Sequence, residues 1–289
     1  MADNVTLSSS IRTNLLTLQK TGDLVNRTNN RLSTGLRVAS AVDDAVNYFQ
    51  GKSLSDRAAD LTSRKEGIDQ GISSLKSAIG GLEAVEKLLV QMKGVLLSAK
   101  SSTAAERVDL ASQFNTLATQ LTALSNDASF QGLNLINATG ANLKVQFSEK
   151  TSAILDVGGT DNRFSAMVGF TAAGATVIAT AVTGLTSGWS AISASVSLFD
   201  NIIEKMDSAV TTVRSNGKTL GTNVALLQTR LDFTKAYVNT LKEGADKLTL
   251  ADLNEEGANL VSLQTRQQLG IQALSFAGQQ DQGILRLFG

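Results

Sequence analysis

The sequence predicts a mainly α-helical protein, with a long antiparallel helical bundle or coiled coil formed by both chain ends and a small β-rich middle region. Three observations predict this fold class. Apolar residues recur at alternating spacings of four and three over most of the chain, which is the seam pattern of packed helices. The 289 residues include no Pro, the residue that breaks helix interiors. One central span lacks both the seam pattern and charge.

The composition excludes several functional classes. The chain has no Cys and no His, which excludes disulfides, Ser-His-Asp catalysis and metal sites built on these ligands. Basic and acidic residues balance at 26 each and aromatic residues make up 4%, so nucleic-acid binding is not expected. We predict no enzyme activity and no cofactor. The N-terminus has neither the basic region nor the apolar stretch of a cleaved secretion signal.

The first element is a heptad helix over residues 11–36. Gly22 and Asn29 interrupt its seam and weaken its packing. A lone helix with such a seam is marginal in water, so we expect it to order against a partner. Its apolar seam positions, predicted to serve self-assembly, are Ile11, Leu15, Leu18, Val25, Leu32 and Leu36.

The stretch RLSTGLRVASAVDDA, residues 31–45, predicts a helix break followed by a restart. Gly35 ends the first helix. Ser40 and Asp43 have the spacing of a capping box, which predicts Ser40 as the N-cap of the second helix. Asp43 and Asp44 would lie in its first turn, where carboxylates favour the positive end of the helix dipole. A catalytic or metal-binding interpretation of this pair lacks a further ligand nearby in sequence.

The following helices carry the strongest apolar pattern. A seam from Ile68 to Leu89 has a second apolar row beside it, which indicates packing against more than one helix. Residues 101–110 predict a break and restart, and residues 110–124 give another seam. Residues 126–136 predict a turn. We expect these helices to pack within one subunit.

Residues 138–195 change character. The stretches NLKVQFSE and SAILDVGG predict two strands that pair with each other. The span 164–199 has no charged residue and is rich in Thr, Ser, Gly and Ala, which predicts β-structure and turns. It lacks the Leu, Ile and Phe core of a membrane span, so no membrane insertion is expected. Its many hydroxyl groups raise the hypothesis of an O-linked glycan.

The longest apolar pattern covers residues 199–241 and predicts a helix about 65 Å long. A second polar-interrupted seam follows, from Leu250 to the chain end. We predict that the two weak terminal seams pair with each other and with neighbouring copies of the chain. The C-terminal positions predicted for self-assembly are Leu253, Leu260, Ile271, Leu274, Leu285 and Phe288.

Three stretches resemble the bacterial flagellins. RLSTGLRVASAVDDA resembles the N-terminal signature of that family, and NDASFQGLNLI resembles the end of its N-terminal helical region. LQTRQQLGIQALSFAGQQDQGILRLFG, residues 263–289, resembles its tail. The resemblance implies a structural subunit that self-assembles into the extracellular filament of the bacterial flagellum, serves motility and is exported without a cleaved signal peptide.

The resemblance also implies partners and a division of the chain. The implied partners are many copies of the chain itself, the flagellar export apparatus with its export chaperone, and the hook-junction and cap proteins. The alternatives are a hook–filament junction protein and a secreted coiled-coil effector or adhesin. The implied segments are an N-terminal coiled-coil core segment with a spoke loop (1–39), N-terminal rod helices (40–137), a variable β-rich outer region (138–196), a C-terminal rod helix (197–245) and a C-terminal coiled-coil core segment (246–289).

Two departures from the larger flagellins concern the outer surface. The middle region is too short for the extra outer domains that many flagellins carry. Gln91 and Gly94 stand where flagellins recognised by the animal innate receptor carry Arg and Glu. We therefore do not expect recognition by that receptor.

Overall fold

The computed structural model describes residues 9–137, 140–148, 152–168 and 196–288. Within these residues the fold is helical apart from one two-stranded sheet, so the predicted fold class is confirmed. The chain forms two compact units, Met1–Ala59 with Asn239–Gly289, and Asp60–Val238. The elements are α1 (Ser9–Thr34), α2 (Ala45–Ser101), α3 (Ala104–Asp127), β1 (Asn142–Gln146), β2 (Ile154–Gly158), α4 (Phe164–Met167), α5 (Val196–Thr249) and α6 (Leu253–Phe288).

The unit Asp60–Val238 has a core built on seven-residue repeats. Such a repeat keeps one face of each long helix against its partner, as the seam pattern predicted. The core also takes in Phe114 and Leu121 of α3 and Val145 and Val157 of the hairpin. Each fully buried Leu contributes about 1.5–3 kcal/mol. The repeating buried positions are Ile68, Leu75, Leu82, Leu89 and Leu96 on α2, and Met206, Val213, Leu220 and Leu227 on α5.

Three ion pairs follow the same repeat along one side of α2 and α5. Glu86 accepts from Arg214 at 2.8 Å, Lys93 contacts Asp207 at 2.5 Å, and Lys100 contacts Asp200 at 2.5 Å. The partners are seven residues apart on both helices, which therefore run antiparallel. Exposed pairs contribute at most about 1 kcal/mol each.

The order of these charges opposes a slip of one heptad between α2 and α5. A slip in one direction would place Lys93 opposite Arg214, and a slip in the other would place Glu86 opposite Asp207. Either slip replaces the three attractive pairs by one attractive pair and one repulsive pair, and like charges brought together are destabilising. The charge order therefore favours the observed register over its nearest alternatives.

The predicted break before α3 is confirmed. Glu106 accepts a hydrogen bond from the backbone N–H of Thr103 at 2.9 Å, which forms one half of a capping box. The predicted turn after α3 is also present, and Gly132 adopts a φ of 82° there. The left-handed region is the conformation that Gly tolerates best.

The two predicted strands pair as an antiparallel hairpin, with Val145 opposite Leu155. The hairpin lies close to α2, because a Cβ on Gly71 would come within 2.6 Å of a methyl group of Val145. Asn162, which follows the hairpin in the chain, is fully buried and is hydrogen-bonded on both sides. Its side chain donates to Thr160 and accepts from Asn216 of α5 at 2.9 Å.

The prediction of β-structure and turns for 164–199 is wrong at both ends of that span. Residues Phe164–Met167 form the short helix α4, and α5 already begins at Val196. The ring of Phe164 packs edge-on against Phe114 of α3, with 5.9 Å between ring centroids. This apolar contact outweighs the weak local preference of a Ser- and Ala-rich sequence. The rest of the span, 169–195, lies outside the described residues.

Two further properties concern the described part of the chain. None of its helices contains a stretch long and apolar enough to cross a bilayer. Nor do its carboxylates cluster in threes as a metal site would need.

Candidate assembly site

The terminal helices α1 and α6 pack against each other. Nη1 of Arg31, near the end of α1, lies 2.8 Å from Oε1 of Glu256 in the first turn of α6. A Cβ built on Gly270, later in α6, would meet a methyl group of Leu18, earlier in α1. The two helices therefore run in opposite directions, and the predicted pairing of the chain ends within one chain is confirmed.

The face of α1 turned towards α6 has a different register from the predicted seam. Thr21 and Thr28 are its most buried residues. The Thr21 hydroxyl donates to its own helix, to the carbonyl of Thr17 at 2.9 Å, which leaves its methyl group for packing. Leu15, a predicted seam position, is 39% exposed. The less exposed positions that the two registers share are Ile11, Leu18, Val25 and Leu32.

On α6 the register differs in the same way. Leu260 and Leu274 are half-buried as predicted, whereas Leu253 and Ile271 are more than 50% exposed. Gly270 replaces Ile271 on the contact face because its missing side chain admits Leu18, whose methyl group would lie 3.2 Å from a Cβ there. Leu285 and Phe288 lie within the bounds of α6. Their side chains are not among those that the structure describes.

The break after α1 exists because the chain there pairs with the α5–α6 connection. Gly35 adopts a φ of 71°, which suits Gly at the end of a helix. Its carbonyl accepts from the N–H of Ala251 at 2.9 Å, and the N–H of Arg37 donates to Thr249 at 2.8 Å. Leu36, between them, forms an isolated antiparallel bridge with Leu250.

The N-cap of α2 is Asp44, and the prediction of Ser40 is wrong. Oδ1 of Asp44 accepts from the N–H of Asn47 at 3.1 Å, and α2 begins at Ala45. Ser40 and Asp43 form one half of a capping box, since the N–H of Ser40 donates to Oδ2 of Asp43 at 3.0 Å. The Ser40 hydroxyl donates to the same oxygen at 3.1 Å, and the N–H of Asp43 donates to the carbonyl of Ser40 at 3.1 Å. The turn they close ends before the helix starts.

The same hydrogen bonds lower the pKa of both carboxyl groups. For Asp43 the largest cause is the Ser40 hydroxyl, followed by the Ser40 backbone N–H. For Asp44 it is the backbone N–H of Asn47, followed by the Asn47 side chain. Each donor favours the ionised form of the carboxyl group. The arrangement therefore holds two carboxylates in a structural role.

Apolar side chains also stand on the faces of α1 and α6 that point away from the pair. Phe276 follows Leu274 by two residues, which places it about 200° around the helix, and it is 67% exposed. Leu269 lies one heptad earlier on the same face and is 58% exposed. Leu16 precedes Leu18 by two residues on α1 and is also exposed. The single-seam prediction missed these residues, although the spacing of Leu269 and Phe276 was a usable signal.

Comparison with known proteins assigns the chain to a family. Residues 6–141 match the family model of the bacterial flagellin N-terminal helical region, and residues 203–288 match that of the C-terminal helical region. Flagellin FljK of Caulobacter vibrioides is 31% identical over 97% of this chain and 98% of its own length. The chain belongs to the bacterial flagellin family. The resemblance seen in the sequence is thus confirmed.

A more distant relative and a solved structure are also similar to this flagellin. The flagellin of Brucella melitensis is 26% identical over 100% of this chain and 99% of its own length. The structure of a protein from Vibrio parahaemolyticus, whose name places it among flagellar hook-associated proteins, has a TM-score of 0.60 at 13% identity. It covers 72% of this chain and 100% of that one. This likeness shows a shared fold alone.

Family membership establishes the general role of this flagellin. It is a structural subunit of the extracellular flagellar filament and not an enzyme. The full-length match to flagellins does not favour the junction-protein and effector alternatives.

Proposed function

We propose that this flagellin polymerises through the α1–α6 pair and that each face of the pair has its own task. The face with Thr21 and Thr28 holds the two helices together within one copy. The apolar side chains on the other faces become buried against neighbouring copies. The observation that carries the proposal is the exposure of Leu16, Leu269 and Phe276 on faces that the partner helix of the same chain cannot reach.

The energetics support a cooperative assembly. Ordering a helix costs about 1–2 kcal/mol per residue, while burying one large apolar side chain contributes about 1.5–3 kcal/mol. The contact faces within one copy carry Thr21, Thr28, Gln267 and Gly270 between apolar residues that stay only half-buried, so we infer that they offset only part of this cost. Contacts with neighbouring copies supply the remainder, and each added copy stabilises the terminal helices of the copies beside it.

The sequence-predicted residues take two roles in this proposal. Leu18, Leu260 and Leu274 hold the pair within one copy. Leu15, Leu253 and Ile271, which flank the pair and are exposed, contact other copies. The spoke loop, with its turn at Gly35 and its carboxylates Asp43 and Asp44, positions α1 against the start of α6. The remaining predicted assembly positions are Ile11, Val25, Leu32, Leu36, Leu285 and Phe288.

The remaining family features are carried over as part of the same proposal. The chain has the five segments set out above and leaves the cell through the flagellar export apparatus without a cleaved signal peptide. An export chaperone binds it before export. Cap and hook-junction proteins lie at the ends of the filament. The proposal also includes an O-linked glycan on residues 164–199, at the outer surface. The flagellin family assignment supports the export partners, and the density of hydroxyl groups supports the glycan.

Electron microscopy of the full-length protein tests the assembly proposal. Purified monomers are mixed with short filament seeds and a precipitating salt, then imaged by negative stain. We expect long, uniform tubes that grow from the seeds, because every added copy presents the same exposed faces again. Monomers that persist, or short caps bound only at hook ends, would contradict the proposal and favour a junction role.

A further inference from the structure

A polar pocket of about 340 Å³ lies between α1 and the loop that follows it. Several of the α1 residues that line it stand on the side of the helix turned away from α6, while Arg31 also lines it and reaches Glu256 of α6. Asn26 and Asn30 each lie two residues from buried Thr28, which is about 200° around the helix. The loop contributes Arg37 and Asp43 to the opposite wall. The pocket is therefore open to a molecule that approaches the α1–α6 pair from outside.

Arginine side chains set the chemistry of this pocket. Arg31 is paired with Glu256. Arg27 and Arg37 have no carboxylate within ion-pairing distance among the described residues, and the guanidinium group of Arg37 donates a hydrogen bond to the carbonyl of Leu248 at 3.3 Å. Guanidinium groups bind carboxylates through two parallel hydrogen bonds and do so better than ammonium groups. The pocket thus offers two guanidinium groups to a carboxylate.

The acidic side chains of the pocket do not occupy these two groups. Asp43 is engaged by the N–H groups of Ala39 and Ser40 and by the Ser40 hydroxyl, and Arg27 acts on it only at longer range. Asp23 also lines the pocket and offsets part of its positive charge. The negative end of the α1 dipole would account for arginines in the last turns of the helix. It does not account for Arg37, which lies beyond the helix end.

Charge is distributed unequally between the two ends of the chain. Residues 9–38 carry five basic side chains and one acidic one, whereas residues 243–256 carry five acidic side chains and one basic one. In the acidic segment, Glu243 and Glu256 are paired and Asp252 accepts from the first N–H groups of α6. Asp246 and Glu255 are exposed, and the described residues hold no cation in ion-pairing distance of either. These two carboxylates are free to meet another copy.

We propose that the Arg27–Arg37 pocket is a contact between copies and receives a carboxylate from the 246–255 segment of a second copy, with Glu255 as the main candidate. This rests on the proposed function, since copies must assemble for the contact to form. The basic segment 9–38 of one copy meets the acidic segment 243–256 of the next copy. The contact therefore determines which copies can be neighbours. Complementary charge of this kind gives specificity and orientation more than raw affinity.

A charge-swap experiment on the full-length protein tests the pocket. Arg27→Glu and Glu255→Arg are each expected to raise the critical concentration for seeded polymerisation about tenfold, measured by sedimentation. The double variant Arg27→Glu/Glu255→Arg is expected to return to within about threefold of wild type. Lys76→Glu, the same charge reversal on an exposed cation of α2 that lies outside the pocket and outside α1 and α6, is the control and is expected to stay near wild type. Circular dichroism of each monomer should be unchanged.

Three results would overturn the pocket proposal. Arg27→Glu could polymerise like wild type, Lys76→Glu could fail equally, or the double variant could remain as impaired as the single ones. Titration of inorganic phosphate into the monomer separates a free anion from a neighbouring copy. If the monomer binds phosphate, Arg27→Glu removes that binding and the double variant does not recover polymerisation, the ligand of the pocket is a free oxyanion. Failure of the wild type itself to polymerise would instead contradict the assembly proposal.

Discussion

Removal of α6, residues 253–289, is expected to abolish filament growth completely. Without α6, the contact face of α1 with Thr21 and Thr28 has no partner in its own copy, and the outward side chains Leu269 and Phe276 are missing from every copy. A helix as polar as α1 is marginal alone. Seeded polymerisation followed by sedimentation and electron microscopy measures the effect.

The truncated protein should keep its other unit. The buried core of Asp60–Val238 contains no residue from α1 or α6, so circular dichroism should still show a largely helical protein. Leu274→Asp, on the contact face, should weaken assembly in the same direction, while Leu226→Asp makes the same change on an exposed Leu of α5, outside α1 and α6. Normal filaments from the truncated protein would show that the chain ends are not the assembly device.

Leu227→Ala is expected to lower the free energy of unfolding by about 2–5 kcal/mol. Leu227 is 0% exposed in the core between α2 and α5, so the substitution removes buried methyl groups and leaves a cavity. Leu226→Ala is the matched control, since the same atoms are removed from a neighbouring side chain that is 41% exposed. It should cost less than about 1 kcal/mol.

Urea denaturation followed by circular dichroism compares the two variants. The transition that belongs to Asp60–Val238 should shift for Leu227→Ala and stay nearly in place for Leu226→Ala. Equal shifts for the two would mean that the seven-residue repeat of α5 does not define the core. Because the substitutions lie outside α1 and α6, they also separate the stability of the subunit from its capacity to polymerise.

The helices of the Asp60–Val238 unit could be predicted from the sequence because a regular row of large apolar residues runs along the buried face of α2 and of α5. Ile68, Leu75 and Leu82 on α2 repeat every seven residues and are all buried. The register of α1 against α6 could not be predicted in the same way. Leu15 is more apolar than Thr21, yet Thr21 faces the partner helix. A helix that meets several neighbours carries apolar residues on several faces, so hydrophobicity alone does not identify the face used within one copy.

The N-cap of α2 is a second feature that the local sequence alone did not predict. Ser40 and Asp44 are both good N-cap residues, and Ser40 also has Asp43 at the spacing of a capping box. The choice depends on distant contacts. The chain at Gly35–Arg37 pairs with Thr249–Ala251, which fixes where the loop runs and leaves the turn at Ser40 outside the helix. The arginine pocket depends on the same fold of the loop over α1, and no spacing in the sequence brings Arg27 and Arg37 together.

Hydroxyl-radical footprinting of monomers and filaments tests the central claim most directly. Mass spectrometry of the digested protein would give the oxidation rates of Leu16, Leu269 and Phe276 in both states. We predict that all three react readily in the monomer, where they are exposed, and that each is protected at least about tenfold in seeded filaments. Filaments in which these side chains react as fast as in the monomer would contradict the claim that the outward faces of α1 and α6 join the copies.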